Sequence, residues 1–170
     1  EQAVRAAAET YGPFYIRLSR SSTPVVCPDG FQFRLGVAAT LRKGDDATII
    51  ACGIMVSAAL EAAETLAREG IQCRVLDMAT IKPIDADAIV KAAKETGAIV
   101  TAEEYLRHGG LGSVVAQVLV ENSPVPMNMV ALNGYAESGK PEELLKKYGL
   151  THAEVEDAVR SVARRKAKQA

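Results

Sequence analysis

The segment TAEEYLRHGGLGS, residues 101–113, brings together two carboxylates, a histidine and three glycines. Such carboxylates and histidines can act as general acids and bases or as metal ligands. Glu103 and Glu104 are adjacent, so on a strand they point to opposite faces and cannot form a carboxylate pair; at most one faces a crevice. His108 has only His152 as a companion, with no HxxxH or Cys/His spacing, which favours a solvated loop histidine over a general base or metal ligand.

The glycines of this segment resemble a phosphate-binding loop, but their spacing does not match one. Val115 stands where a GxGxxG motif starting at Gly110 needs its third glycine, and GxxxxGK[ST] has no match in the chain. We expect instead that Gly109 and Gly110 form a turn with positive φ, and that Gly112 lets a helix lie close to a sheet. Anion binding by the amino end of that helix is the alternative.

One possible nucleophile, Cys52, lies at the end of an apolar run. Cys52 stands before Gly53 at the end of a predicted strand, but no GxSxG elbow surrounds it and no histidine lies nearby in the sequence. A buried structural thiol is therefore the favoured interpretation. The chain contains no self-contained catalytic constellation and no metal-ligand set that its spacing would predict.

The arginines of YIRLSR, residues 15–20, are a different kind of candidate. On a strand, Arg17 and Ser19 share one face, and Arg20 lies at the carboxyl end, where a side chain reaches into a crevice. A guanidinium suits a phosphate or carboxylate because its planar fork donates two parallel hydrogen bonds. On spacing alone, a surface ion pair explains these arginines equally well.

Composition excludes several classes of protein. With 170 residues, 48% of them hydrophobic and 24% charged, the chain suits one globular domain plus an appendage. A net charge of −1 argues against nucleic acid and anionic membranes as partners. No apolar run approaches the ~18 residues of a membrane span, and no signal peptide is visible. The three cysteines form no CxxC pair, which predicts a reduced, cytoplasmic chain.

The start of the chain reads as part of a longer protein, because Glu1 lies inside a helical pattern without a capping residue before it. The helix is expected to give way to a strand in YGPFYIRLSR, and this αβ unit, residues 1–20, is interpreted as the remnant of an upstream domain. A Pro- and Ser-rich linker is predicted over residues 21–35, followed by a domain over residues 36–170.

In that domain, strand and helix patterns alternate. FQFRLGVAATLR and ATIIAC are predicted as antiparallel neighbours joined by a turn at Lys43–Asp46. Asp85 is expected to cap one helix, and Thr151 with Glu154 to form the capping box of the last. The predicted fold is an α/β three-layer αβα sandwich with a mostly parallel five-stranded sheet and one antiparallel strand. Ligands bind such sheets at the carboxyl ends of the strands.

Five segments in this order resemble the carboxyl-terminal part of transketolases: GPFYIRLSR, DATIIACG, VLDMATIKPID, TAEEYLRHGGLGS and ESGKPEELLKKYGL. The resemblance covers essentially the whole chain and is nearest to the small subunit of transketolases that are encoded as two chains. Two relatives share the fold and the TIKP-like strand end: 1-deoxyxylulose-5-phosphate synthase and the beta subunits of 2-oxoacid dehydrogenases.

The resemblance implies a thiamine diphosphate and Mg²⁺ enzyme of the pentose phosphate pathway, which moves a two-carbon ketol unit between sugar phosphates. Residues 1–20 would be the last helix and strand of the pyrimidine-binding domain, and residues 36–170 the transketolase carboxyl-terminal domain. The family's catalytic glutamate and its GDG diphosphate motif with the following Asn have no counterpart in this sequence. We therefore expect this segment alone to bind no cofactor and to be inactive.

One site residue carries over from the resemblance: Arg20, in LSR, matches the family arginine that binds the substrate phosphate. Arg17 and Ser19 match by neighbourhood only. Tyr105 departs from the family, in which a histidine often follows the two glutamates, so any role of that histidine is in doubt here. The segment would serve assembly, in a homodimer or heterotetramer, with a partner chain or upstream domains that carry the diphosphate site.

Other interpretations remain open from the sequence. The chain could be a non-catalytic interaction or regulatory module with this fold. It could also belong to a 1-deoxyxylulose-5-phosphate synthase or be the beta chain of a 2-oxoacid dehydrogenase. Ketol transfer and pyruvate-dependent activity distinguish these enzymes from a transketolase.

Overall fold

The computed structural model describes residues 1–20 and 22–168; Ser21, in the predicted linker, and residues 169–170, at the end of the predicted domain, lie outside the described residues. The elements in chain order are α1 Gln2–Glu9, β1 Ala39–Arg42, β2 Ala47–Ala51, α2 Met55–Arg68, β3 Cys73–Asp77, α3 Ala86–Thr96, β4 Ile99–Leu106, α4 Leu111–Asn122, β5 Met127–Leu132, α5 Pro141–Lys147 and α6 His152–Ala167.

The strands form one sheet in the order β1-β3-β2-β4-β5. Strands β2 to β5 run parallel, and β1 runs antiparallel to β3. Helices cover both faces of this sheet: α2 and α6 pack on one face, and α3 and α4 pack on the other. The predicted three-layer sandwich, with a five-stranded, mostly parallel sheet and one antiparallel strand, is confirmed.

Alternation along the strands builds the two apolar layers. Ile49 and Ile50 of β2 are both fully buried, but Ile49 packs in the cluster with α2 and α6, and Ile50 packs in the cluster with α3 and α4. Successive strand residues point to opposite faces, so a central strand covered on both faces is apolar throughout. This is why all five residues of ATIIA are buried, with Thr48 as the one polar residue among them.

The predicted pairing of the first two strands is wrong: β1 lies beside β3, not beside β2. Both edges of β2 are occupied by parallel strands, β3 and β4. The turn between β1 and β2 crosses the amino end of β3, where a Cβ on Gly44 would lie 2.3 Å from the carbonyl carbon of Cys73. Asp46 holds this crossing in place, because its Oδ2 accepts a hydrogen bond of 2.7 Å from the Gln72 amide.

Two predicted helix caps are confirmed. The Asp85 side chain begins α3 by accepting from the Ala88 amide at 2.9 Å, and its second oxygen accepts from the Ala38 amide at 2.8 Å. Thr151 and Glu154 form the capping box of α6. Asp85 thus ties the chain entering β1 to the loop that follows β3.

The predicted strand in YGPFYIRLSR is wrong, because residues 11–20 form no regular element and are exposed. None of the described strands lies beside this segment, and without a neighbouring strand its backbone cannot form the hydrogen bonds of a ladder. The preceding helix α1 is confirmed; Gln2 joins it to the linker by donating to the Phe31 carbonyl at 2.8 Å and accepting from the Phe33 amide at 2.6 Å.

The structure also contains no membrane-spanning candidate within residues 1–20 and 22–168: none of the helices there combines the length and apolar character needed to cross a bilayer.

Candidate functional site

The carboxyl ends of β2 and β4 flank the point where the strand order of the sheet reverses. The chain leaves β2 towards β3 on one side and later returns to β4 on the other side. In open parallel sheets, this is the crevice where ligands bind. Cys52 follows β2 here, and Glu103 and Glu104 lie near the end of β4. The glutamate segment singled out in the sequence therefore lies at the expected place.

Glu103 points inward and is only 1% exposed. Its two carboxylate oxygens accept hydrogen bonds from the amides of Leu111 and Gly112, each at 2.7 Å. These are the first amides of α4, which have no partner within their own helix. The amino end of α4 therefore does hold an anion, but the anion is a carboxylate of the same chain.

The pKa of Glu103 reflects this environment. Burial raises it above the ordinary value, while the amide hydrogen bonds from Gly112 and Leu111 and the charge of Arg17 act in the opposite direction. The geometry assigns Glu103 to holding a helix in place rather than to a water-exposed acid or base.

The three glycines of the loop are required for different structural reasons. Gly109 has φ +81°, which confirms the predicted turn at this residue. Gly110 has φ −91°, so the positive φ expected there is wrong. It is needed for space instead, because its Cβ would lie 2.1 Å from Glu103 Oε2. Gly112 confirms the predicted close packing, since its Cβ would lie 2.8 Å from Met129 Sδ and 2.9 Å from Thr101 Oγ1.

Glu104 points away from Glu103, as adjacency on a strand predicts, and its side chain is 39% exposed. The Arg17 Nη2 atom donates to Glu104 Oε2 at 3.2 Å and to the Glu104 carbonyl at 2.9 Å. The Arg17 Cζ atom also lies 5.6 Å from the centroid of the Tyr105 ring. For Arg17, the ion-pair alternative therefore holds, and its partner is the carboxyl end of β4.

Ser19 and Arg20 are both exposed in the structure. Arg20 makes no hydrogen bond or ion pair with any of the described residues. Arg17 and Ser19 were expected to share one face of a strand. The segment is not a strand, so that expectation is wrong. The Arg20 guanidinium is open to an anion from solution.

The remaining predicted candidates have no catalytic geometry. Burial raises the pKa of Cys52 to about 12, helped by the negative charges of Glu103 and Asp77, so the thiol is protonated at neutral pH. His108 is exposed in the turn after β4 and contacts no hydrogen-bond partner in the described part of the chain. Within residues 1–20 and 22–168, no group of three or more His, Cys, Asp or Glu side chains could hold a metal ion.

Sequence reasoning missed Asp77, which ends β3 beside the same crevice. Burial raises its pKa. Its charge in turn raises the pKa of Cys52 and, after burial, that of Cys27 in the linker. A lone carboxylate closing an apolar strand was the available signal in VLDM. The crevice therefore carries negative or neutral groups contributed by three strand ends.

Comparison with known proteins identifies the fold. The family model for the transketolase C-terminal domain matches residues 36–155. The chain belongs to the transketolase C-terminal domain family. It is 46% identical over 156 residues to the 6-deoxy-6-sulfo-D-fructose transketolase subunit SqwH of Clostridium sp. (strain MSTE9), covering 91% of this chain and 48% of that protein. It is 47% identical over 140 residues to an apulose-4-phosphate transketolase subunit of Phocaeicola vulgatus, covering 81% of this chain and 45% of that protein.

A solved structure described as a split gene transketolase, inactive beta4 tetramer, matches with a TM-score of 0.93 and 48% identity, covering 96% of this chain and 54% of that one. The chain thus spans about half the length of these relatives. Glu103, Glu104 and Tyr105 lie inside the range matched by the transketolase C-terminal domain model, while Arg17 and Arg20 precede it.

The fit of Gly110 against Glu103 in this transketolase C-terminal domain gives a stability prediction. In Gly110→Ala, the added methyl group must displace a buried carboxylate from two amides, and we expect the free energy of unfolding to fall by about 2 kcal/mol. Urea unfolding followed by circular dichroism measures this change. Gly134→Ala is the matched control, because a Cβ there meets no atom within 4 Å. Equal losses in the two variants would contradict the assignment.

Asp77 gives a pH prediction. A carboxyl with a raised folded-state pKa binds its proton more tightly in the folded chain than in the unfolded one, where the pKa is near 3.8. The protein therefore loses stability as pH rises from the unfolded pKa through the folded pKa. Asp77→Asn cannot ionise, so its stability relative to the wild type should increase with pH over this interval and then level off.

Urea midpoints of the two proteins at a series of pH values from about 4 to about 8 test this expectation. Asp29→Asn, a change at an exposed aspartate, is the control. A constant difference between Asp77→Asn and the wild type across the series would show that burial does not hold the Asp77 proton.

Proposed function

We propose that this chain is the carboxyl-terminal portion of a thiamine diphosphate-dependent transketolase, which transfers a two-carbon ketol unit between sugar phosphates. In this proposal the segment serves assembly and presents a substrate-binding arginine, while the catalytic centre lies on other domains or on a partner subunit. The partner subunit would carry the diphosphate-binding site in a homodimeric or heterotetrameric assembly.

The single observation that carries the proposal is the superposition on a split gene transketolase at 48% identity over 96% of the chain. Both relatives compared above are named as transketolase subunits. The solved relative is described as an inactive beta4 tetramer. That description supports a chain of this type needing a complementary subunit for activity.

The domain boundaries follow from the same proposal. Residues 1–20 would complete a pyrimidine-binding domain, residues 21–35 would link it to the next, and residues 36–170 would form the carboxyl-terminal domain. The family model begins its match at residue 36, which supports the last of these boundaries. The three cysteines are free thiols, which supports a cytoplasmic location.

The described residues offer no donor set for Mg²⁺ and no diphosphate motif, so we assign no cofactor ligand to this segment. Thiamine diphosphate, when bound in the complete enzyme, would supply the carbanion chemistry of ketol transfer. What this chain's own residues can supply is binding of the anionic end of the substrate. Arg20 is the proposed group, because its guanidinium is exposed and has no partner among the described residues.

The other enzymes with this fold are less well supported. A 1-deoxyxylulose-5-phosphate synthase or a 2-oxoacid dehydrogenase beta chain would act on pyruvate or a related 2-oxoacid, whereas the relatives described above are named as transketolase subunits. A non-catalytic interaction module would show neither reaction.

The activity is tested by a ketol-transfer assay of the natural full-length protein, alone and with a candidate partner chain. We expect transfer from a ketose phosphate to an aldose phosphate only when the diphosphate-binding domain is present and thiamine diphosphate and Mg²⁺ are added. Pyruvate-dependent turnover in the same preparation would favour the two alternative enzymes. Absence of both reactions with every partner would favour the interaction module.

The role of Arg20 is tested by Arg20→Ala in the complete enzyme. Loss of a charge-assisted bidentate contact to a phosphate should raise the KM for phosphorylated substrates by about tenfold or more. Thiamine diphosphate affinity, measured by calorimetry, should stay unchanged. A KM equal to that of the wild type would remove Arg20 from the substrate site.

A further inference from the structure

We propose that Arg17, Glu104 and Tyr105 form a latch that positions the segment carrying Arg20 against the carboxyl end of β4. The three residues make Arg17 a positioning residue for substrate binding, acting through Arg20. This inference rests on the proposed role of Arg20 in transketolase activity, and it assigns the carboxyl-terminal domain a part in that activity.

The contacts of the Arg17 guanidinium come from one short stretch of β4. Its Nη2 atom donates to the Glu104 carboxylate at 3.2 Å and to the Glu104 carbonyl at 2.9 Å. Its Cζ atom lies 5.6 Å from the centroid of the Tyr105 ring, within the range of a cation–π contact. A planar guanidinium can satisfy these contacts together, whereas a lysine ammonium presents a point charge.

The latch matters because it joins a segment without regular secondary structure to a strand of the sheet. Residues 11–20 form no strand and no helix, and the side chains of Tyr15 and Leu18 are 89% and 76% exposed. Arg20 follows Arg17 by three residues, and three residues of extended chain span at most about 10 Å. Fixing Arg17 on β4 therefore limits the volume that the Arg20 guanidinium can reach.

Tyr105 contributes its ring rather than its hydroxyl. The side chain is 46% exposed, and its hydroxyl donates to and accepts from none of the described residues. The aromatic face is what Arg17 contacts. Tyr105→Phe keeps this face and Tyr105→Ala removes it, so the pair separates the ring from the hydroxyl.

The kinetic test uses Arg17→Ala, Arg17→Lys and Glu104→Gln in the complete transketolase. We expect Arg17→Ala to raise the KM for a sugar phosphate about fivefold with kcat changed less than about twofold, as for loss of a partly exposed contact. The KM for the same sugar without its phosphate should not change. Arg17→Lys and Glu104→Gln should give smaller increases. Arg164→Ala, at an exposed arginine of α6 without a hydrogen bond or ion pair to the described residues, is the control.

A double-variant cycle separates positioning from direct binding. Because the latch acts through Arg20, Arg17→Ala combined with Arg20→Ala should be no worse than Arg20→Ala alone. If the increase in KM of the double variant equals the product of the increases in the two single variants, Arg17 binds substrate independently, and the latch is overturned. An equal loss with phosphorylated and unphosphorylated sugars would indicate general destabilisation and would overturn it as well.

Hydrogen exchange of residues 11–20 in the same assembly gives a readout that does not depend on turnover. We expect faster exchange in Arg17→Ala and Tyr105→Ala, and wild-type exchange in Tyr105→Phe and Arg164→Ala. Normal ketol transfer with unaltered KM and exchange in Arg17→Ala would overturn the latch and leave the proposed function intact. Absence of ketol transfer in the wild type would overturn the proposed function, and with it this role of the latch.

Discussion

The buried carboxylate of Glu103 at the start of α4 is the interaction on which the site's geometry depends. Two amides at the amino end of a buried helix need acceptors, because burial shields them from solvent. Glu103 supplies both acceptors at 2.7 Å. The pairing costs desolvation of a charge, which raises the pKa of Glu103. It also leaves no room for a side chain at Gly110, and so it dictates the loop sequence.

The inward direction of Glu103 determines what its neighbour can do. On a strand, adjacent side chains point to opposite faces, so Glu104 must face outward once Glu103 is committed to α4. Glu104 is then within reach of Arg17, whose segment has no strand of its own to join. The end of β4 therefore makes two contacts. Glu103 binds the amino end of α4 on the inner side, and Glu104 binds Arg17 of the amino-terminal segment on the outer side.

Much of the fold could be predicted because its signals are local. Apolar runs located the buried strands, and side-chain spacing located the caps at Asp85 and Thr151. The position of β1 could not be predicted, because adjacency in the sequence suggested β2, and only the crossing of the turn over β3 at Gly44 decides the pairing. The extended segment at residues 11–20 carries β-forming residues, but a strand requires a partner that the described chain does not supply.

The candidate site was less predictable, since its partners are far apart in the sequence. The opposed directions of Glu103 and Glu104 follow from adjacency alone, and Gly112 was correctly assigned to close packing. The acceptor role of Glu103 depends on where α4 begins in space. The contact of Arg17 with Glu104 joins residues 87 positions apart. The burial of Asp77 and its effect on the pKa of Cys52 could not be predicted, because both depend on how the neighbouring strand ends are arranged.

The distribution of charge around the crevice bears on where the sugar phosphate of the proposed activity would bind. Glu103 already occupies the amino end of α4, and Asp77 adds a second carboxyl, so neither group offers a phosphate a positively charged partner. Arg17 and Arg20 lie on the amino-terminal segment, not on a strand of the sheet. Arg17 is neutralised by Glu104, which leaves Arg20 as the unpaired guanidinium of that segment among the described residues. In the proposed transketolase, a substrate phosphate would therefore bind Arg20 rather than enter the crevice, and β4 would contribute through its contact with Arg17.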